Sequence, residues 1–375
     1  MQRLAQELSR LKNEFRHRRL KLPRGVDFTS NDYLGLAKHP ALRQAVFEAL
    51  EADAPAGSAG SRLLRGHHPE HAELEAFAAR FFAAEGALYF STGFLANFAL
   101  FTTLPHRHDA IVFDERVHAS VKEGVHAAHA SHIKVSHNDV AAFEAAIIRA
   151  RRAGARDVWI AVESVYSMDG DIAPIEALHE LAHTHDAVLI VDEAHASGIF
   201  GPTGRGFTEG CYDERLITLH TCGKALGVAG GLVLGPAVIM DYLVNASRPF
   251  IYSTAPPPYV AAAVRRALEL IDEEPWRRDR LQKLASLAGQ RLAAALGDKA
   301  PHSGTQIIPV ILGTESRAIA AAERLQHAGF DVRAIRPPTV PPGSSRLRVS
   351  ISVDRTEKEI DALAVALEAA LVPAQ

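Results

Sequence analysis

The chain carries short runs of consecutive apolar residues: "ALYF" at 87–90, "AIVF" at 110–113, "VWIAV" at 158–162, "AVLIV" at 187–191, "LITL" at 216–219 and "GLVLG" at 231–235. Most lack the polar alternation of a half-solvated strand. They predict strands buried on both faces, as in a mostly parallel sheet. Longer segments with helical spacing lie between several of them. In "PEHAELEAFAARFFA" at 69–83, Pro69 suits a first helical turn, and Leu74, Phe77 and Phe81 recur at helical spacing. This alternation predicts a large α/β domain of three layers with ligands at the carboxyl ends of its strands. The pattern changes at "STAPPP", 253–258, where prolines exclude a regular element. An Ala/Arg/Leu-rich helical stretch then precedes "TQIIPVILG", "FDVRAI" and "RLRVSIS". The expected organisation is an N-terminal segment at 1–30, a large domain at 31–255 and a smaller C-terminal α/β domain at 256–375.

Composition narrows the function classes. With 375 residues, 47% of them hydrophobic and 23% charged, the chain is long and apolar enough for a large core and is not a disordered protein. A formal charge of −3 gives no electrostatic footprint for nucleic acid. Cys211 and Cys222 are too few for a disulfide framework and point to a reducing compartment. The first residues, "MQRLAQELSRLKNEFRHRR", hold no apolar core of the kind a secretory signal needs. The longest apolar run, "VAGGLVLGPAVIMDYLV", is interrupted by glycines, a proline and Asp241, and is too short for a membrane span. A soluble cytoplasmic protein is expected, with no membrane and no nucleic-acid partner.

One lysine stands out. Lys224 lies in "LHTCGKALGVAGG", between small and apolar neighbours that offer it no partner charge. A phosphate loop is excluded, because G-x-x-x-x-G-K-[ST] requires glycine where Thr218 stands and a hydroxyl where Ala225 stands. A desolvated lysine loses its proton readily and attacks carbonyls. In "AVLIVDEAHASG", Asp192 directly follows a predicted buried strand and His195 comes three residues later. That aspartate is either a helix or turn cap or the partner of a protonated pyridine nitrogen, which pyridoxal phosphate needs in order to act as an electron sink. Lys224 would then be the lysine that binds the cofactor aldehyde. Ser91, Thr92, Gly93 and Phe94 begin a predicted helix right after a strand, where free N–H groups and the helix dipole favour a phosphate; the bland alternative is a plain turn. His118 in "DERVHAS" is either a structural histidine or an aromatic platform for the cofactor ring.

"NDYLGLAKHP", "GSAGSRLLRG", "STGF", "VYSMDGD", "DEAH", "TCGKALG", "YSTAPPP" and "IRPPTVPPGSSRLRVS" resemble, in order, the motifs of the α-oxoamine synthases, from about residue 28 to the C-terminus. These are pyridoxal phosphate enzymes of the aspartate aminotransferase-like fold (fold type I). "YST" and "IRPPTVP" look most like the members that join a pimeloyl thioester to L-alanine with loss of carbon dioxide. The resemblance implies that Lys224 carries the cofactor and later acts as acid and base. It pairs Asp192 with the pyridinium nitrogen, stacks His118 on the ring, and sets His195 and Ser167 near the phenolic oxygen. Backbone at Gly93 and Phe94, with Thr221, would hold the phosphate, joined by Ser253 and Thr254 from the other subunit of a homodimer. Arg348 would clamp the amino-acid carboxylate, assisted by Asn31, with Arg336 as the alternative clamp. The N-terminal segment is shorter than the family's. Within its basic run, Arg16 is a candidate for the distal carboxylate of the acyl substrate, and a solvated basic helix is the other reading. The acyl carrier is coenzyme A or an acyl carrier protein. The alternative within the family is a sibling using glycine with an acetyl or succinyl thioester.

A competing class comes from "HELAH" at 179–183, which satisfies the H-E-x-x-H pattern of zinc peptidases, with Glu180 as base. The downstream H-x-x-G-x-x-H extension is missing. The segment also precedes a core strand, so it is expected as an outer helix, and no metal site is expected. The histidines at 67, 68, 71, 126, 129 and 132 read as surface or local-bonding residues, and Asp169 and Asp171 in "MDGD" as a turn in preference to a metal site. A non-catalytic partner subunit of the same fold is disfavoured because Lys224 is present.

Overall fold

The computed structural model describes residues 1–301 and 303–371. They form two compact units. The larger comprises 34–166 and 172–278; the smaller comprises 1–33, 167–171 and the chain from Asp279 onward.

The larger unit is built on a seven-stranded sheet. In spatial order its strands are Gly86–Phe90, Gly231–Gly235, Leu216–Thr221, Val188–Asp192, Val158–Glu163, Ala110–Asp114 and Ser131–Val135. All six predicted runs are strands. Gly231–Gly235 is antiparallel to both of its neighbours and the remaining pairs are parallel. The strands Ala110–Asp114, Val158–Glu163 and Gly231–Gly235 are buried along their whole length, which is why they read as unbroken apolar runs. Ser131–Val135, "SHIKV", is an edge strand with mostly polar or exposed positions, so the apolar-run signal misses it.

Helices including Gly93–Thr103, Val140–Arg152 and Ile175–Thr184 complete the layers, contributing Ala96, Leu100, Phe143, Ile147, Leu178 and Ala182 to one core. The register pairs Glu163 with Asp192, and Thr221 with Gly231, so one edge of the sheet gathers the carboxyl ends of its parallel strands. Candidate chemistry accumulates on that edge.

The boundary expected near residue 256 lies inside the larger unit. Helix Pro258–Glu273 belongs there because Ala262 and Tyr259 pack with Ala49 and Ala54, while the Pro256 carbonyl accepts from Ser58 Oγ at 2.6 Å and meets His71 Nε2 at 2.8 Å. His71 is therefore a buried long-range contact, not a surface residue.

The smaller unit holds an antiparallel sheet in the order Arg333–Ile335, Ser345–Ser350, Ile307–Gly313, with helices Glu315–His327 and Glu357–Leu371. "FDVRAI" breaks at Val332: Phe330–Asp331 pairs in parallel with Val26–Asp27, which draws the expected N-terminal segment into this unit. The turn 167–171 joins it as well. Gly170 has φ +73°, a Cβ there would come within 2.1 Å of the Ile307 carbonyl oxygen, and Asp169 pairs with Arg346 at 2.6 Å. The last four residues of the expected C-terminal domain lie outside the described residues.

A buried histidine gives the larger unit a pH dependence. His220 packs against Phe82, with ring centroids 3.9 Å apart. Ser197 gives its hydroxyl proton to the Glu193 carbonyl, so His220 Nδ1–H donates to Ser197 Oγ at 2.8 Å, and Thr218 Oγ1, at 3.0 Å, can donate to Nε2. Burial pushes its pKa down to about 3. An unfolded imidazole titrates near about 6.5, so acid protonates the unfolded chain while native His220 stays neutral. The stabilisation is complete above that unfolded value and is lost as pH falls toward the folded one. Guanidinium unfolding at pH 7 and pH 5 should show a loss of about 2 kcal/mol that His220→Gln removes. An unchanged pH slope in the variant would assign the acid sensitivity to other groups.

Candidate active site

Lys224 sits in the turn that follows strand Leu216–Thr221. Its Nζ is 2.9 Å from His195 Nε2. The partner that its sequence neighbours do not supply thus comes from the loop after the adjacent strand Val188–Asp192. Asp192 ends that strand almost fully buried. Its Oδ1 accepts the Ala194 N–H at 2.9 Å and its Oδ2 accepts Asn97 Nδ2 at 2.7 Å. Each oxygen keeps a further lone pair for another donor. Both sequence readings of Asp192 therefore remain compatible: it caps a turn and still has acceptor capacity.

Asn97 Nδ2 also donates to Ser120 Oγ at 3.0 Å, and Ser120 Oγ lies 2.7 Å from His118 Nδ1. His118 is the N-cap of helix Ala119–Ala127, its Nδ1 accepting the Ser120 N–H. His118 thus has a structural role as a cap, while the residue as a whole is exposed. The protein packed around it lowers its proton affinity; Lys224 adds to the shift, and Asp192 opposes it. An imidazole whose proton affinity is lowered, on a residue that is still partly open to solvent, is suited to stacking on an aromatic group.

The turn after Gly86–Phe90 starts helix Gly93–Thr103. Thr92 Oγ1 caps it by accepting the Leu95 N–H at 3.0 Å. No acceptor among the described residues takes the N–H of Gly93 or Phe94, so both are free to bind an anion at the positive end of the helix dipole. A Cβ on Gly93 would fall 2.4 Å from Thr221 Oγ1, and one on Gly231 would fall 2.8 Å from Gly93 Cα. The glycines let this helix start lie against Thr221, forming a small donor-lined cradle. The donors, the buried carboxylate, the lysine and the exposed imidazole fit the phosphate, ring nitrogen, aldehyde and ring face of pyridoxal phosphate respectively. Ser253 and Thr254 follow helix Arg248–Ile251 in the same unit, Thr254 being exposed.

Other expected residues fall in the smaller unit. Arg348, buried, donates from Nε to the Ser167 carbonyl at 2.6 Å, from Nη1 to Asn31 Oδ1 at 3.0 Å and Ser350 Oγ at 2.7 Å, and from Nη2 to Tyr33 OH at 3.0 Å. Four of its five N–H groups are thereby engaged, which differs from a free two-pronged clamp. One Nη2 hydrogen and the Asn31 amide NH2 remain for an incoming carboxylate. Arg16 is paired with Glu315 at 3.2 Å and Glu14 at 3.2 Å. Arg336 donates to the Phe15 carbonyl, and burial and nearby Arg18 lower its pKa.

Asn97 is the residue that sequence reasoning missed. Its signal was a lone amide in the apolar helix "GFLANFALF", where burial demands a partner. "HELAH" lies on helix Ile175–Thr184, which buries Ile175, Leu178, Leu181 and Ala182 against the core and turns Glu180 and His183 outward, as an outer-layer helix should.

A family model for aminotransferases of class I and II matches residues 23–367. The chain is similar to the 8-amino-7-oxononanoate synthase of Chromobacterium violaceum, 43% identical over 93% of this chain and 89% of that one. It is also similar to that of Anaeromyxobacter dehalogenans, 42% identical over 92% and 86%. Among solved structures, a serine palmitoyltransferase of S. paucimobilis with PLP and myriocin bound matches with a TM-score of 0.89, 28% identity, and coverage of 98% and 96%. The 8-amino-7-oxononanoate synthase of Francisella tularensis matches with 0.78, 26% identity, and coverage of 92% and 97%.

The Asn97–Asp192 bond can be isolated by a double-mutant cycle. Asn97→Ala should destabilise the protein by about 1.5–3 kcal/mol at pH 7, because a buried ionised carboxylate loses a donor. In an Asp192→Asn background the same substitution should cost measurably less. Equal costs in both backgrounds, by chemical denaturation, would show that the amide does not act through the carboxylate.

Proposed function

Because the chain belongs to the aminotransferase class I and II family and is similar over most of its length to 8-amino-7-oxononanoate synthases, we propose that it is a pyridoxal phosphate-dependent acyltransferase of biotin biosynthesis. It joins the Cα of L-alanine to the carbonyl carbon of a pimeloyl thioester. The thiol carrier and the alanine carboxyl group, as carbon dioxide, depart, leaving 8-amino-7-oxononanoate. The observation that carries this reading is Lys224 Nζ at 2.9 Å from His195 Nε2, in the unit that also holds buried Asp192 and the open helix start at Gly93.

Pyridoxal phosphate, when bound, supplies an electron sink for the pair left behind as the amino-acid Cα loses its proton. Lys224 holds its aldehyde and then moves the proton at Cα, with His195 Nε2 as its hydrogen-bond partner. Asp192 keeps the proton on the ring nitrogen, and Asn97 and the Ala194 N–H keep Asp192 in place. His118 stacks on the ring. His195 and Ser167 serve the phenolic oxygen. The N–H groups of Gly93 and Phe94, with Thr221 Oγ1, take the phosphate. Arg348 Nη2 and Asn31 hold the alanine carboxylate. Arg336, which makes no ion pair among the described residues, is a better reader of the distal acyl carboxylate than Arg16, which is already neutralised by Glu315.

The protein works as a cytoplasmic homodimer in which Ser253 and Thr254 serve the phosphate of the other subunit. Exposed Phe94 and Tyr252, beside the two phosphate segments, supply apolar surface for such an interface. Among the described residues no helix is long and apolar enough to cross a membrane.

The purified protein should be yellow, and its visible band should shift when alanine is added. Lys224→Ala should abolish turnover. Arg348→Ala should weaken the alanine-induced shift ten- to a hundredfold, the loss of a charge-assisted bond of about 1.5–3 kcal/mol. Product formation from alanine, glycine and serine, each with pimeloyl, succinyl and acetyl thioesters, identifies the substrate pair. Preference for glycine with a short acyl group would make the chain a sibling synthase. Peptide hydrolysis that chelator abolishes would revive the peptidase reading.

A further inference from the structure

The two histidines of "HELAH" serve no step of that chemistry, yet they are not idle surface residues. His179 and His183 are four residues apart on helix Ile175–Thr184 and so share one face. Their Nε2 atoms converge on a single atom: Asp213 Oδ2 lies 2.6 Å from the first and 2.7 Å from the second. The imidazole rings stand edge to face, with centroids 4.8 Å apart. Asp213 is itself fixed, because its other oxygen, Oδ1, accepts the Arg215 N–H at 2.7 Å. The three ligand atoms all lie within 4.8 Å of one another. The His183 side chain is 48% exposed, so the group opens to solvent.

We propose that His179, His183 and Asp213 form a binding site for a divalent transition-metal ion of the zinc or nickel type. Two imidazole nitrogens and one carboxylate oxygen suit these borderline ions, whereas calcium and magnesium favour shells made of oxygen. Ligand bonds of about 2.0–2.2 Å at a tetrahedral centre put ligand atoms about 3.3–3.6 Å apart, so the nitrogen–oxygen separations would open by roughly 0.6–1 Å, within reach of small rotations of the exposed His183 and of Asp213. Each imidazole then binds through Nε2 and keeps its proton on Nδ1. The Arg215 N–H on Oδ1 is the outer contact that aims the carboxylate. Water completes the coordination.

Glu180 lies outside this group, so the site lacks the base that a peptidase would place beside metal-bound water. Its role is a clasp: the ion ties the outer helix to the segment just before strand Leu216–Thr221. This departs from the expectation of no metal and is independent of the acyl-transfer reading.

The test uses cofactor-loaded protein without a polyhistidine tag, stripped with chelator and dialysed. Zinc chloride, and separately nickel chloride, is titrated by calorimetry. One ion should bind per chain with micromolar affinity, and zinc should raise the melting temperature. His183→Gln, at an exposed position, should weaken binding at least tenfold and abolish the thermal shift. Cys211→Ser, which removes the half-buried thiol two residues from Asp213, should leave both unchanged. The proposal is overturned if no saturable binding occurs below ~100 μM, if His183→Gln binds as well as the parent, or if Cys211→Ser removes the binding.

Discussion

A carboxylate buried at the end of a central strand must be surrounded by donors, and Asp192 imposes that requirement on the larger unit. Without the Asn97 amide and the Ala194 N–H, the strand Val188–Asp192 would end on an unpaired charge, which is costly in a low-dielectric interior. Meeting the requirement organises the neighbours. Helix Gly93–Thr103 must present Asn97 toward the strand end. With that position fixed, the first turn of the helix lies over Thr221, and its N-terminal N–H groups face outward. The same bond network passes through Ser120 to His118. One electrostatic constraint thus brings the buried carboxylate, the open helix start and the His118 imidazole into one bonded network, the three groups to which the proposed cofactor-binding roles are given.

Glycine is the second requirement. The separation that lets Gly93 meet both Thr221 and Gly231 is too short for any side chain. Gly231 begins the one antiparallel strand among the inner members of the sheet, and its pairing with Thr221 brings that strand's amino end to the edge where the parallel strands finish. The reversal of direction lets a strand start and several strand ends meet at one place, with Lys224 in the connecting turn.

The strands of the large sheet were legible because burial on both faces removes polar alternation, and the edge strand "SHIKV" was not because half-exposure restores it. Lys224, Asp192 and the "STGF" turn were legible as residues out of character with their surroundings. Their partners were not, since Asn97 and His195 reach them across 95 and 29 residues of chain. The division between the units was misplaced for a similar reason. Prolines mark where a regular element stops, but which core the next helix joins depends on distant contacts such as that of Tyr259 and Ala262 with Ala49 and Ala54. The four acceptors around Arg348 were not legible either, because sequence shows the guanidinium and not the distant groups that hold it.

Asp192 and Glu193 show how neighbouring carboxylates are given separate work. Successive strand residues point to opposite faces. Asp192 is held by side-chain and backbone donors at the sheet edge, whereas Glu193 is sealed in the interior, where burial raises its pKa against the pull of its hydrogen bonds. There it accepts from Ser164 Oγ at 2.5 Å and from the Thr208 N–H at 2.8 Å. Its carboxyl group also fills the space that a side chain on Gly206, at φ +100°, would need. Glu193 therefore anchors the 206–208 turn behind the strand while Asp192 takes the donors of Asn97 and Ala194 at the sheet edge. Replacing either acid by the other would lose both tasks: the shorter side chain cannot span to Thr208, and the longer one overshoots the Asn97 amide. The "DE" of "DEAH" is in this sense two devices, one electrostatic and one architectural, set side by side where the strand ends.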